Sequence, residues 1–328
     1  MKDRLFSGAK PTGELQLGNF LGALKNWVAL QDQYACIYAI ADYHALTVAI
    51  DPTELKENTM RLACDLLALG IDPKKTIFYR QSDVLEHVEL SWIFSCITPV
   101  PELERMTQYK DLVQQKKGNA NAGLLTYPVL QAADILLYQA QHVPVGEDQL
   151  QHLELSRIIA RKFNNRYGDF FPEVSPVLSE SVRVMSLTDP EKKMSKSAGP
   201  KSYIALRDKP EVIKQKIAKA VTDSAHNETS LTGGHNLLML FKQFGSKDRF
   251  TYFEQAYKIK KISYAELKKE LTEVLIAFLN PIQEKQKYVD SHQDEVLAIL
   301  KDGATRARAI AQETMQHVRA VVGLNGRL

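Results

Sequence analysis

The 328-residue sequence predicts an α/β fold, a doubly wound parallel sheet followed by a mostly helical second domain. Two patterns carry that prediction. Short apolar strand-like runs alternate with helix-period stretches through the first hundred residues, an order that lays parallel strands between covering helices. From Lys209 onward no strand pattern recurs, and the apolar spacing is helical.

Taken in order, residues 4–8 form the first strand candidate, and glycines at 8, 13 and 18 open a turn after it. The turn is not GxGxxG, which argues against a dinucleotide fingerprint. Leu21, Leu24, Val28 and Leu30 then fit a helix that opens near Gly18-Asn19. Residues 34–42 are continuously apolar, as in a buried parallel strand, and end in Asp42-Tyr43-His44-Ala45. Ligands sit beyond the carboxyl ends of such strands, which singles out His44.

Asp51-Pro52-Thr53 starts a helix through Leu55, Met60, Leu62, Leu66 and Leu69, and Gly70 closes it. Residues 76–80 are the next strand, followed by a helix through Val88, Leu90, Trp92 and Ile93. Residues 102–122 replace apolar periodicity with charge and amides, so they read as an insertion made of a surface helix and loop. Residues 125–138 form a largely buried helix with Pro128 at its start. Residues 142–145 are a short strand running into a helix through Leu155, Ile158, Ile159 and Phe163, and residues 181–185 are the last strand. Helices follow over 212–221, 236–244 and 264–279, then a charged one from Pro281 and a final one over 304–322.

Composition narrows the class. No apolar run approaches the roughly 18 residues of a membrane span, and the chain enters strand-like sequence directly without a signal peptide, so a cytoplasmic protein is expected. Cys36, Cys64 and Cys96 sit among apolar neighbours without CxxC spacing, which predicts core thiols rather than disulfides or a zinc site. Residues 1–185 carry 18 Lys and Arg against 22 Asp and Glu, whereas residues 186–328 carry 24 against 17. A basic carboxyl-terminal part suits a polyanion such as RNA, and a solvated helical face gives the same count.

Three stretches carry chemistry. In Lys193-Met194-Ser195-Lys196-Ser197, two ammonium groups on long stems can follow a polyphosphate as its charge shifts, and Ala198-Gly199-Pro200 lets the loop close and reopen. At the Gly18-Asn19 helix opening, backbone N–H groups point at an anion. Asp134 is a lone carboxylate in an apolar helix, where burial without a partner costs several kcal/mol, so it faces a cavity or has a donor.

The pentapeptide KMSKS resembles the second signature of the class I aminoacyl-tRNA synthetases, and the glycine turn looks like the first. That first signature usually ends in His-Ile-Gly-His, where this chain reads Gln16-Leu17-Gly18-Asn19, a departure familiar in the tryptophanyl branch. The helix around Asp134 resembles that branch's specificity helix, in which the matching aspartate accepts the indole N–H. Gly146-Glu147-Asp148-Gln149 matches the same branch, and the serine that tyrosyl enzymes usually carry before Asp-Gln is absent.

The resemblance implies a Rossmann-like sheet domain over residues 1–186, a helical anticodon-binding domain over 187–299, and a helix over 300–328 that packs back on the sheet. It implies activation of L-tryptophan by ATP and transfer to tRNA(Trp). Mg2+ would arrive with the nucleotide, without a dedicated protein site, and the enzyme would be a homodimer whose surface includes the 102–122 insertion.

Lys10, Pro11, Thr12, Gly18, Asn19, Gly146, Glu147, Asp148, Val184, Lys193, Met194, Ser195, Lys196 and Ser197 are the implied ATP contacts, with Asn19, Lys193 and Lys196 catalytic. Phe6, Gly8, His44, Tyr127, Asp134, Val143 and Gln149 are the implied tryptophan pocket.

Overall fold

A computed structural model describes residues 2–115, 121–146, 149–178, 182–222 and 233–324. Five parallel strands, β1 (Arg4–Ala9), β2 (Ala35–Ile40), β3 (Ile77–Arg80), β4 (His142–Val145) and β5 (Ser175–Leu178), lie in the order β3-β2-β1-β4-β5. The order reverses between β1 and β4, which makes their carboxyl ends the switch point where ligands bind in such sheets. β1 pairs with β2 along its whole length but with β4 only at Leu5 and His142.

Chain contacts group into two units. One comprises Met1–Gly13, Asn26–Ser179 and His292–Leu328, the other Glu14–Lys25 and Glu180–Ser291. Residues 14–25, kept with the sheet by the sequence reading, group with the second unit because backbone bonds tie them there. Leu17 N donates to Ile204 O at 3.0 Å and Leu206 N to Leu15 O at 2.9 Å.

In the first unit the helices are α2 (Lys25–Leu30), α3 (Asp42–Ala45), α4 (Pro52–Leu69), α5 (Glu86–Ser95), α6 (Val100–Glu104), α7 (Thr107–Gln115), α8 (Ala122–Leu136), α9 (Leu150–Tyr167) and α14 (Gln293–Val321). Asp51 caps α4 by accepting from Thr53 N and Glu54 N, and Gly70 ends it at φ 112°, the left-handed conformation glycine adopts without strain.

The final helix, α14, begins at Gln293 rather than 304 and lies against β3, the edge strand. A Cβ on Gly303 would come within 1.9 Å of the Phe78 carbonyl oxygen, and Arg306 donates to the Pro73 and Thr76 carbonyls at 2.9 Å each. Gly303→Ala is therefore expected to destabilise the protein by about 1–3 kcal/mol or more through overpacking, read as a lower urea midpoint. An unchanged midpoint would mean that the helix does not need this close approach.

Other elements also depart from expectation. The last strand is β5, a short proline-containing edge strand, and not 181–185. Ser181 lies outside the described residues, and Val182 to Val184 belong to no strand. Met185 makes an isolated antiparallel bridge with Lys193, so the apolar alternation serves a short hairpin in the second unit.

Pro128 lies inside α8, not at its start, because Asn121 caps that helix by accepting from Leu124 N at 2.9 Å. Cys36 and Cys64 are core thiols, but Cys96 ends α5 at the surface and is exposed.

The second unit holds α1 (Leu17–Asn19) with the π-helical turn Phe20–Leu24, and then α10 (Pro210–Lys219), α11 (Gly233–Phe244), α12 (Lys247–Lys258) and α13 (Tyr264–Ser291). Pro281 does not begin a new helix as expected; α13 runs through it. Leu267, Leu271, Leu275 and Leu279, one per turn and fully buried, anchor the preceding turns of that helix. Among the described residues no helix is long and apolar enough to cross a membrane.

Candidate active site

The glycine turn and the lysine loop are stitched together within the second unit. Gln16, extended at φ −124° and ψ 165°, is the N-cap of α1: its Oε1 accepts from Gly18 N at 2.9 Å while Asn19 Oδ1 accepts from Gln16 N at 3.1 Å. This reciprocal pair is a capping box built from amides. The remaining amide nitrogen of Gln16 donates to the Met194 carbonyl at 3.1 Å, so one side chain both starts the helix and grips the KMSKS loop.

A Cβ at Gly18 would lie 2.8 Å from Gln16 Oε1, which explains the glycine without invoking a ligand. The π-helical turn Phe20–Leu24 follows at once, an irregularity frequent at functional sites.

The loop itself is a hairpin that ends in a 3₁₀ turn. Met194 N donates to Val184 O at 2.9 Å and Ser186 N to Lys192 O at 2.8 Å. Ser195 caps the turn Lys196–Ala198, and Ser202 Oγ bonds the Ser195 and Gly199 carbonyls at 2.8 and 2.7 Å. Gly199 sits at φ 91° with open space around it.

Lys193 is exposed, whereas Lys196 is half-buried and donates to the Glu14 carbonyl at 3.2 Å. Loss of water around Lys196 lowers its pKa, with Glu14 acting the other way. Met194 and Val184 are buried apolar side chains.

The first unit holds the carboxylate. Asp134, only 3% exposed, is not lone: Gln81 Nε2 donates to its Oδ1 at 2.7 Å, His87 Nδ1 lies 2.6 Å from the same oxygen, and His44 Nε2 lies 2.8 Å from Oδ2. Burial acts most strongly on this carboxyl and pushes it up, but the His87 charge and the hydrogen bonds from His44 and His87 outweigh burial and bring it down to about 2. Oδ1 takes two donors and Oδ2 one among the described residues, so Oδ2 retains an acceptor site. Beside it, Gln81 Oε1 is buried without a donor among those residues.

Around this carboxylate Phe6 is buried and stacks on Tyr138 with centroids 5.6 Å apart, and Val143 is buried on β4. Tyr127 meets His44 edge-on, bonds Gln108 Oε1 at 3.0 Å and His152 Nε2 at 2.8 Å, and has its hydroxyl pushed up to about 12 by burial. The Lys10 ammonium lies 5.3 Å from the Tyr127 ring centroid, and loss of water lowers its pKa.

Gly8, the next-to-last residue of β1, is exposed, Pro11 is buried and Thr12 is exposed. Gln149 stands at the N-cap position of α9 and its backbone N–H donates to the Gly146 carbonyl at 3.0 Å. Glu147 and Asp148 lie outside the described residues.

The implied ATP residues thus divide between the units: Lys10, Pro11, Thr12 and Gly146 in the first, Gly18, Asn19, Val184 and residues 193–197 in the second. Sequence reasoning missed Gln81, His87, Tyr79 and Tyr138. The available signal was His87, an imidazole on the inward side of the apolar helix α5.

Comparisons with known proteins agree with this arrangement. Residues 2–280 match the family model for tRNA synthetases class I (W and Y). The chain is 48% identical to the tryptophan–tRNA ligase of Caldanaerobacter subterraneus subsp. tengcongensis, with 98% of each chain covered. It is 45% identical to that of Helicobacter pylori strain 26695, covering 98% of this chain and 99% of the relative.

The crystal structure of a Campylobacter jejuni tryptophanyl-tRNA synthetase complexed with ADP and tryptophan superposes with a TM-score of 0.84 at 36% identity, over 98% of this chain and 100% of that one. With two stitched signatures, a parallel sheet and relatives matched end to end, the chain belongs to the class I tRNA synthetases of the tryptophan and tyrosine family, in its tryptophanyl branch.

Proposed function

We propose that this chain activates L-tryptophan with ATP and transfers it to tRNA(Trp). The observation that carries this reading is the Gln16 bridge, which joins the glycine turn to the lysine loop at 3.1 Å. The tryptophan carboxylate attacks the α-phosphorus of ATP, forming a P–O bond and expelling pyrophosphate. The adenylate then passes its acyl group to the 3′-terminal ribose hydroxyl, releasing AMP.

The chain positions the reactants and offsets charge. Lys193 and Lys196 follow the departing pyrophosphate; the backbone N–H groups of Leu17, Gly18 and Asn19 are bonded to Ile204 O, Gln16 Oε1 and Gln16 O, so at this turn it is the Asn19 side-chain amide that donates to phosphate. Asp134 Oδ2 accepts the indole N–H, Phe6, Gly8, His44 and Val143 wall the pocket, and Tyr127 and Gln149 hold the amino end. Magnesium bound to the nucleotide would offset the charge of its phosphates. Charging of a bacterial tRNA pool with labelled tryptophan tests the reading, and the absence of tryptophanyl-tRNA would overturn it.

The homodimer and a cytoplasmic setting belong to the same proposal. Leu85, Val88 and Trp92 follow helical spacing at the start and along one side of α5 and are 64%, 44% and 72% exposed, an apolar stripe that a second copy would cover. Trp92→Glu is expected to give a monomer by sedimentation at micromolar concentration, and an unchanged mass would move the interface elsewhere.

The helical second unit is the proposed anticodon-binding region, on the strength of its positive charge. Reversing Lys258, Lys260 and Lys261 together should weaken tRNA binding and flatten its salt dependence without altering amino-acid activation. Unchanged affinity would place the RNA surface elsewhere.

A further inference from the structure

We propose that His87, Tyr79 and Tyr138 form a buried bracket that anchors Asp134 through Oδ1 and leaves Oδ2 turned to the ligand, making them positioning residues for tryptophan discrimination. The proposal rests on the reading that Asp134 accepts the indole N–H.

The bracket is a closed triangle of polar atoms. Tyr79 OH donates to Tyr138 OH at 2.6 Å, and each hydroxyl lies 2.9 Å from His87 Nε2. All three side chains are fully buried. An ionised carboxylate oxygen can only accept, so the ring proton facing Asp134 Oδ1 at 2.6 Å is on Nδ1, while Nε2 meets the two hydroxyls. Both tyrosines have their pKa raised, chiefly by burial, so the triangle keeps its protons across the working range.

Packing fixes the geometry. His87 stacks on Tyr79 and meets Tyr138 edge-on, and Tyr138 in turn is stacked by Phe6 of the proposed pocket. Gln81 adds a second donor to Oδ1, so that oxygen is saturated and cannot swing toward a ligand, whereas Oδ2 is shared only with His44 among the described residues.

The other charges acting on the bracket are Asp42, near Tyr79, and Glu86, near Tyr138. Neither supplies a proton to Asp134, so the ionised state of that carboxylate depends on the two histidines against the opposing effect of burial.

The test is pyrophosphate exchange with tryptophan and with its benzofuran isostere, in which oxygen replaces the indole nitrogen, from about pH 6 to 8.5. His87→Leu removes the donor and lets burial push Asp134 up. Its preference for tryptophan should fall about tenfold or more, and its KM for tryptophan should rise as pH falls while kcat holds. The wild type stays flat.

His87→Asn, which can still donate to Oδ1, restores most of the preference. Tyr79→Phe/Tyr138→Phe keeps the packing and should shift preference and pH dependence in the same direction by about threefold; with His87→Asn it decides the matter if His87→Leu does not fold.

Unaltered preference and a flat KM in these variants, while Asp134→Ala loses its preference, would overturn the bracket and leave the Asp134 reading standing. An undiminished preference in Asp134→Ala would overturn both.

Discussion

Asp134→Ala is expected to lose most tryptophan activation and, with it, the preference for tryptophan over an isostere with oxygen or sulfur in place of the indole nitrogen. A site built around a buried hydrogen bond rejects an analogue lacking the donor by up to about 10⁴–10⁵, far beyond what an apolar pocket achieves by shape. The wild-type penalty arises because the isostere leaves Asp134 Oδ2 desolvated and facing a lone pair.

Removing the carboxylate also strands donors from His44, Gln81 and His87, so some loss of stability will accompany the variant. The ratio of kcat/KM values for the two ligands separates these effects, because the folded fraction divides out of it. An undiminished ratio would make Asp134 a structural carboxylate held by its three protein donors.

Lys196→Ala should slow adenylate formation by about 10²–10³, the scale for one electrostatic donor, while ATP binding changes far less. Lys196 is the stronger of the two lysine candidates because its ammonium is half-buried and held at the Glu14 carbonyl, whereas Lys193 is exposed. Screening by water discounts an exposed charge, so Lys193→Ala should cost less. Single-turnover rates unchanged in Lys196→Ala would remove the clamp from the mechanism.

Much of the fold was legible because parallel strands buried on both faces read as continuous apolar runs: β2 lies within the run 34–42, and α4 carries its aspartate cap and closing glycine in plain view. The errors have local causes. The alternation at 182–185 is shared by a strand and a hairpin, and the pairing that decides between them lies in Lys192 to Met194. α12 was missed although Phe250, Phe253 and Tyr257 recur at helical spacing, because polar and charged residues fill the rest of it and only Phe253 within it is buried.

At the site, residue types near the signatures were legible, but partners distant in the chain were not. Nothing in the spacing says that Gln16 reaches across 178 positions to Met194. Nor does it say that His87 supplies Asp134 with a donor at Oδ1. Such pairings are made by tertiary packing and leave no local pattern.

This chain is expected to select tryptophan and couple it to ATP. Amino-acid-dependent ATP–pyrophosphate exchange, run on the purified full chain with each of the twenty amino acids in turn, addresses this most directly. Strong exchange with tryptophan and background exchange with the other nineteen is the expected result; exchange driven by tyrosine, or by no amino acid at all, would contradict it.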